Sequence, residues 1–288
     1  MIDMELVTPE RPSIRYEDHS SWPPLSVLRS EHGNYKPAPT GVLAGREVSV
    51  LRQDGQSIRY RFTSSTNLES CFASGPRRGD REQGVGEIFN PAPELYLAHF
   101  QSVDCPQRTT ALTLDFESGY SVAAISTLGR ATSDMTAVSS EFISGIIDGC
   151  IPQGEAPSET EDLVGKRVMC IYGDDQIYEH VYLTPRLFTW LCLRGPEVGL
   201  ADTEATTVYR IRDGLYLFSW REKVIPCGAS LLIDLTLGQT CGALLGWNDV
   251  GSAALYFTWG ARLISLGTTD YPPELYSRVL GESIGQRS

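Results

Sequence analysis

The chain repeats itself at a spacing close to 120 residues. Leu43–Arg46 (Leu-Ala-Gly-Arg) recurs 120 residues later as Leu163–Lys166 (Leu-Val-Gly-Lys), and Tyr96 recurs with its following leucine as Tyr216. Leu112–Asp115 recurs 119 residues later, so the copies differ there by a single-residue insertion or deletion. Periods of roughly 20–50 residues are typical of solenoids and propellers. A period near 120 is the size of a small domain, so the repeat predicts two copies of one fold.

Composition supports two packed domains and limits the classes of partner. The 288 residues are 41% hydrophobic and 21% charged, which favours folded cores over disorder. The net charge of −12 makes nucleic acid and anionic membrane surfaces poor partners, because both require clusters of Lys and Arg. No apolar run approaches the roughly 18 residues of a membrane span.

The amino terminus and the cysteines predict a cytoplasmic protein. Residues 1–5 lack the basic stretch and apolar core that begin a signal peptide. The seven cysteines are an odd number, lie far apart and include no Cys-x-x-Cys pair, which favours reduced, buried thiols.

Proline and polar residues divide the chain into four predicted parts. These are an extended amino-terminal lead-in (1–40), a first barrel (41–152), a linker (153–162), and a second barrel with the carboxyl-terminal segment (163–288).

Short alternating runs separated by turns predict an all-β protein of antiparallel barrels or sandwiches. Asp54-Gly55 between two such runs is a strong hairpin signal. Residues 64–92 are expected to form a long loop and a strand, with Gly84–Gly86 as a turn. Helix is expected only at Ser133–Ile147 and Pro272–Gly281. A repeat of about 110 residues suffices for an eight-stranded up-and-down barrel, which can enclose one small ligand.

The second copy resembles a known family. The segments that carry the resemblance are Tyr178–Pro185, Phe188–Trp190, Gly199–Thr203, Leu215–Lys223 and Leu232–Leu235. They are similar to the C-terminal half of the MoaF family; the similarity is strongest over about 163–262 and weaker over about 40–125. The resemblance implies two tandem lipocalin-like (calycin) antiparallel β-barrels from an internal duplication. It also suggests a role in small-molecule metabolism, as a binding protein or as a cofactor-free isomerase, cyclase or lyase.

Strand alternation places candidate site residues on common faces of the second copy. Tyr178, His180 and Tyr182 share one face of their strand. Tyr216, Phe218, Trp220 and Glu222 share one face of another. Aromatic walls with a few polar groups are typical of small-ligand sites.

We predict His180 and Glu222 as a proton-transfer pair, with Tyr182 and Tyr216 as further catalytic residues. The predicted substrate-binding residues are Tyr178, Trp190, Arg194, Phe218, Trp220 and Tyr209. Two simpler interpretations stay open. His180 could cap the barrel mouth through hydrogen bonds, and Glu222 could form an ion pair with Arg221, Lys223 or a neighbouring strand.

The first copy has Tyr60 in place of His180 and His99-Phe100 in place of Ser219-Trp220. Tyr60, Tyr96 and His99 are therefore candidates for a separate first-barrel site. We expect no metal and no cofactor, because the chain lacks a dinucleotide or P-loop motif and its four histidines are dispersed.

The sequence favours a cofactor-independent isomerase, cyclase or lyase that acts on a small apolar or aromatic ligand. The first alternative is a non-catalytic carrier or sensor. The second is an interaction module, such as a homodimer formed through an exposed Leu255–Leu266 face with Tyr256, Phe257 and Trp259.

Overall fold

The computed structural model describes residues 22–31, 35–130, 136–248 and 253–272. Helix α1 spans Leu25–Glu31. The strands of the first barrel are β1 (Glu47–Arg52), β2 (Ser57–Phe62), β3 (Asn67–Phe72), β4 (Arg81–Ala92), β5 (Leu95–Ser102), β6 (Arg108–Asp115), β7 (Tyr120–Leu128) and β8 (Val138–Ile147). The remaining strands are β9 (Ser158–Glu159), β10 (Lys166–Gly173), β11 (Gln176–Thr184), β12 (Leu187–Arg194), β13 (Ala201–Arg212), β14 (Leu215–Arg221), β15 (Cys227–Asp234), β16 (Gln239–Trp247) and β17 (Ala254–Thr268).

The first barrel is an up-and-down barrel of eight antiparallel strands. Each strand pairs with the next, and β1 also pairs with β8, which closes the sheet. Strand β2 shows why the segment folds this way: Ile58, Tyr60 and Phe62 alternate with two arginines, and only the three apolar side chains are buried. The predicted hairpin joins β1 to β2, with Gly55 at a φ of 79° that glycine adopts without strain.

The second barrel repeats this topology. Strands β10 to β17 pair in sequence, and β10 also pairs with β17, which closes the second barrel. The two-residue strand β9 adds to the outside of this ring beside β13. The predicted all-β fold of two antiparallel barrels is therefore confirmed.

The two barrels pack through their outward faces. Leu95 and Leu97 of the first barrel meet Leu217 and Leu232 of the second in one buried apolar cluster. A bidentate ion pair joins Arg212 to the buried Asp115 beside this cluster, with N–O distances of 2.5 and 2.7 Å. Burial raises the pKa of Asp115, but the hydrogen bonds from Arg212 and Ser118 and the charge of Arg212 together outweigh this effect and lower the pKa below its usual value.

Several local predictions were wrong. Residues 64–92, expected as a long loop and one strand, contain both β3 and β4. The helix expected over Ser133–Ile147 is strand β8 where the segment is described, paired with both β7 and β1; residues 131–135 lie outside the description. Gly84–Gly86 lies inside β4 instead of forming a turn. The glycine is required there by packing, because a Cβ at Gly86 would lie 2.0 Å from the carbonyl oxygen of His99 on β5.

The amino-terminal segment is helical over Leu25–Glu31, within the stretch expected to be extended. Leu25 and Leu28 pack into the core of the second barrel, although this segment precedes the first barrel in sequence. Residues 1–21 lie outside the described part, as does all of the predicted helix Pro272–Gly281 except its first residue. None of the described helices is long and apolar enough to cross a membrane.

Candidate functional site in the second barrel

A small cavity lies at one mouth of the second barrel. Its volume is about 30 Å³, which is water-sized. The residues that line it are Leu28, Tyr172, Tyr178, His180, Phe188, Trp190, Glu197, Trp220, Glu222, Leu244 and Trp259. The wall is therefore mostly aromatic, with one imidazole and two carboxyl groups directed into it.

The strand register brings the imidazole and a carboxyl group to this mouth. On β11, His180 lies opposite Trp190 of β12, and both side chains point inward. On β14, Trp220 points inward, and the chain continues past the end of the strand to Glu222 on the same side. Alternation along two strands thus converges on one cavity.

His180 is a buried, neutral imidazole. Its ring lies 5.2 Å from that of Phe188 and 6.0 Å from that of Trp220, centroid to centroid. Burial lowers the pKa of His180 to about 4, so the ring is uncharged at neutral pH. Its Nδ1 atom is buried without a hydrogen-bond partner among the described residues. This nitrogen can therefore form a hydrogen bond to a ligand.

Glu222 is a buried carboxyl group that keeps its proton at neutral pH. Burial raises its pKa to about 8, and the nearby charge of Glu197 adds to the shift. The indole Nε1 of Trp220 donates a hydrogen bond of 3.1 Å to its Oε1. Neither Arg221 nor Lys223 forms the ion pair that was the simpler interpretation; Lys223 binds Asp202 instead. A protonated Glu222 can donate a hydrogen bond or a proton to a ligand oxygen.

Two further glutamates at this mouth were missed by the sequence analysis. Glu197, in the loop after β12, accepts a 2.7 Å hydrogen bond from the Tyr178 hydroxyl. Glu204 on β13 is fully buried, and neither of its carboxyl oxygens has a partner among the described residues. Burial, with a contribution from Glu222, raises the pKa of Glu204 to about 9. Glu204 shares the inward face of β13 with Thr206 and Val208, so strand alternation could have identified it from the sequence. Glu197 lies in a loop, where alternation gives no such signal.

Helix α1 covers the cavity. Leu28 forms part of the cavity wall, and the Trp22 ring contacts the edge of Trp190 at 5.6 Å between centroids. A Cβ at Gly246 would lie 2.5 Å from the Leu25 side chain, so the glycine allows the helix to sit this close to β16. The helix thus acts as a cover over the barrel mouth.

Comparison with known proteins agrees with this architecture. The model of the MoaF C-terminal domain matches residues 157–269, and that of the MoaF N-terminal domain matches residues 20–130. The chain belongs to the MoaF family. The predicted family resemblance is therefore confirmed, with one MoaF domain model for each barrel.

The relatives add little beyond membership of the MoaF family. "Protein MoaF" of Klebsiella aerogenes is 37% identical over 142 residues, a match that spans 49% of this chain and about half (53%) of that relative's length. A crystal structure described as that of a "putative beta-lactamase" from Burkholderia vietnamiensis matches 40% of this chain and 97% of its own, with 16% identity and a TM-score of 0.29. That likeness carries no argument about function.

Within the MoaF C-terminal domain, the structure brings some predicted site residues together and separates others. Tyr178, Trp190 and Trp220 line the cavity with His180 and Glu222. The other five predicted residues do not line it: Tyr182, Phe218 and Tyr216 are buried in the barrel core, Arg194 lies at the exposed rim, and Tyr209 lies outside the barrel.

Two of these residues have other partners. Arg194 donates to the carbonyl oxygen of Asp174 over 3.2 Å. The ring of Tyr209 stacks on Phe142 of the first barrel, with centroids 4.6 Å apart. Neither contact directs the side chain towards the cavity.

In the MoaF N-terminal domain, the three candidate residues do not share a site. Tyr60 lines a separate cavity at the mouth of the first barrel, whereas Tyr96 is packed in the core against Phe116. His99 points outward, where burial lowers its pKa to about 3, and its carbonyl oxygen accepts a 2.9 Å hydrogen bond from Tyr256.

The aromatic residues of Leu255–Leu266 do not form the exposed face expected for an interaction module. Phe257 and Trp259 belong to the core of the second barrel, and Tyr256 packs against His99. A homodimer stays an untested prediction. No group of three His, Cys, Asp or Glu side chains among the described residues is placed to hold a metal ion.

Proposed function

We propose that this protein binds a small, uncharged, oxygen-bearing apolar or aromatic metabolite in the second barrel and catalyses its cofactor-independent isomerisation, cyclisation or elimination. The observation that carries the proposal is the pairing of a neutral His180 with a protonated Glu222 in one aromatic cavity. Pairs of titratable groups whose environments set their protonation states apart are typical of acid–base sites.

The two groups have complementary roles. Glu222, with a pKa of about 8, donates its proton to a carbonyl or leaving-group oxygen of the ligand. The neutral His180 accepts a proton from a ligand carbon or hydroxyl group. In an isomerisation the proton on His180 returns to a different atom and the oxygen gives its proton back to Glu222, so both groups end in their starting states.

The aromatic wall excludes water and orients the ligand. Rings of Tyr178, Trp190 and Trp220 surround the two polar groups. Electrostatic interactions are stronger in such a site than in water, and a correctly placed ligand reacts faster.

Binding a metabolite requires α1 to move, because a cavity of about 30 Å³ holds only water. Displacement of Leu28 and Trp22 would open the mouth and expose Trp190 to the ligand. The same closed arrangement favours the second candidate function, a carrier or sensor that retains its ligand unchanged. All seven cysteines are free, which supports our proposal that the protein works in the reducing cytoplasm.

The test is native mass spectrometry of protein purified from its own host, followed by denaturing extraction of bound small molecules. We expect a ligand to co-purify with the wild type and to be lost from His180→Ala. The matched control is His99→Ala, which also removes a buried histidine, but one that contacts Tyr256 between the barrels, and it should retain the ligand. A ligand retained equally by His180→Ala, or an empty wild-type protein, would contradict the proposal.

A second variant separates the enzyme from the carrier. Glu222→Gln preserves the size of the side chain and the hydrogen bond from Trp220, but it cannot donate a proton as an acid. If the protein is an enzyme, the wild type will convert the extracted ligand, whereas the Glu222→Gln variant will bind the ligand without converting it. A carrier would leave it unchanged in both proteins.

A further inference from the structure

The first barrel has a larger cavity that the proposed function does not use. It has a volume of about 310 Å³ and opens at the mouth formed by the carboxyl end of β1 and the amino end of β2. Such a volume is at the lower end of the range for small-ligand pockets. The cavity is therefore large enough for a small organic molecule without movement of the barrel.

This cavity is the counterpart of the second-barrel site. At the repeat spacing of 120 residues, Tyr60 corresponds to His180 and Phe100 corresponds to Trp220, and all four line the cavity of their own barrel. Arg52 stands where the second barrel has Tyr172. The duplication has thus kept the position of the cavity and changed its chemistry.

Three arginines and several apolar side chains line the cavity. Arg52 and Arg108 project from strand ends, and Arg77 comes from the loop between β3 and β4. The apolar part of the lining includes the rings of Phe72 and Phe100. Arg77 and Arg108 are 49% and 37% exposed and pair with Asp80 and Glu82. Arg52, which is 12% exposed, is the most desolvated of the three and so has the greatest need of polar partners.

Arg52 has hydrogen-bonding capacity left over. Its side chain is 12% exposed, and one terminal nitrogen pairs with Asp54 at 2.7 Å. Its Nε is buried and has no hydrogen-bond partner among the described residues. A guanidinium group forms its best hydrogen bonds when its fork meets a planar carboxylate.

Aromatic packing fixes two of the guanidinium groups. The centres of the Arg52 and Arg77 groups lie 5.5 and 4.1 Å from the centroid of Phe72. These contacts pack both cations against one aromatic ring, and the Nε of Arg77 also donates a 3.1 Å hydrogen bond to Asp80. Arg108 is paired only loosely, with 3.7 Å between its nitrogen and Glu82.

We propose that the first barrel binds a small organic monoanion, a carboxylate on an apolar body. The arginines would bind the carboxylate while the phenylalanines pack against the body. Glu82 and Glu141 also line the cavity and would repel a second negative charge, which disfavours phosphate and dicarboxylates. The attraction for an anion would come from the arginines of this cavity, because the whole chain carries a net charge of −12.

The test is isothermal titration of the full chain with 1-naphthoate, its uncharged analogue 1-naphthamide, and inorganic phosphate. The variants are Arg52→Gln and Arg108→Gln. The two residues lie on different strands, β1 and β6, so one variant still tests the proposal if the other fails to fold. The matched control is Arg59→Gln, which removes an arginine from the outer face of β2, where it pairs with Glu47.

We expect wild type to bind naphthoate at least about tenfold more tightly than naphthamide, with no competition from phosphate. A cavity variant should lose about tenfold in naphthoate affinity, equivalent to about 1.4 kcal/mol, and Arg59→Gln should lose none. Equal binding of naphthoate and naphthamide would overturn the proposal. So would competition by phosphate, an equal loss in Arg59→Gln, or no naphthoate binding at all.

Discussion

Glu204→Gln should make the protein more stable at alkaline pH while changing little at pH 5. Glu204 is 0% exposed and has a pKa of about 9 against an ordinary value of 4.5, raised by burial and by the nearby carboxyl groups of Glu222 and Asp202. Between these values the unfolded chain releases a proton that the folded protein keeps, so stability falls as the pH rises.

The magnitude follows from the size of the shift. Each pH unit in this window costs about 1.4 kcal/mol of unfolding free energy, so the wild type loses about 4 kcal/mol through Glu204 between pH 5 and pH 8. Glutamine has no such proton and escapes the loss. We therefore expect Glu204→Gln to match wild type within about 1 kcal/mol at pH 5 and to exceed it by about 4 kcal/mol at pH 8.

The assay is urea unfolding at both pH values, followed by tryptophan fluorescence, which reports on Trp190 and Trp220 in the second barrel. The matched control is Glu179→Gln. Glu179 is also a buried glutamate, but it is ion-paired with Arg167, so its variant should not gain stability at pH 8. An equal effect of Glu204→Gln at the two pH values would refute the reasoning.

Three other predictions concern stability at acid pH, the helix α1 that covers the cavity, and the ion pair between the two barrels. Between pH 7 and pH 4.5 the free energy of unfolding of wild type should fall by about 2–3 kcal/mol more than that of His180→Phe, as measured by urea unfolding. The reason is that the unfolded imidazole binds a proton below its ordinary pKa of 6.5, whereas the folded one, with a pKa of about 4, does not. Leu28→Ala should lower stability by about 2–3 kcal/mol and speed ligand uptake in stopped-flow fluorescence, because it removes a buried side chain that closes the cavity. Asp115→Ala should cost about 3 kcal/mol in thermal unfolding, because Arg212 loses a bidentate partner at the barrel interface.

The repeat and the strand alternation predicted most of the architecture, for a physical reason. A closed barrel needs inward and outward faces on every strand, so the pattern of Tyr178, His180 and Tyr182 identifies the inward face without any structure. The same rule placed Trp220 and Glu222 on one side. Side chains on regular strands were therefore predictable, although alternation alone could not tell which of them reach the mouth and which are buried deeper.

Features that depend on tertiary contacts were not predictable. Helix α1 belongs to a segment with no copy in the repeat, and only the structure shows Leu25 and Leu28 packed on the distant second barrel. The apolar spacing of Ser133–Ile147 fits a helix as well as a strand, and pairing with β1 and β7 decides for the strand where the segment is described. Alternation with Tyr96 and Phe100 places His99 on the outward face of β5, but only the structure shows that Tyr256 of the second barrel covers that face.

The most direct test of the central claim is deuterium incorporation into the co-purified ligand. The ligand extracted from wild type is incubated in heavy water with wild type or Glu222→Gln, and its mass is measured after return to ordinary water. Proton transfer between His180, Glu222 and a ligand carbon predicts stable deuterium, or a changed product, with wild type and neither with the variant. A ligand that stays unlabelled and unchanged with wild type would contradict the account.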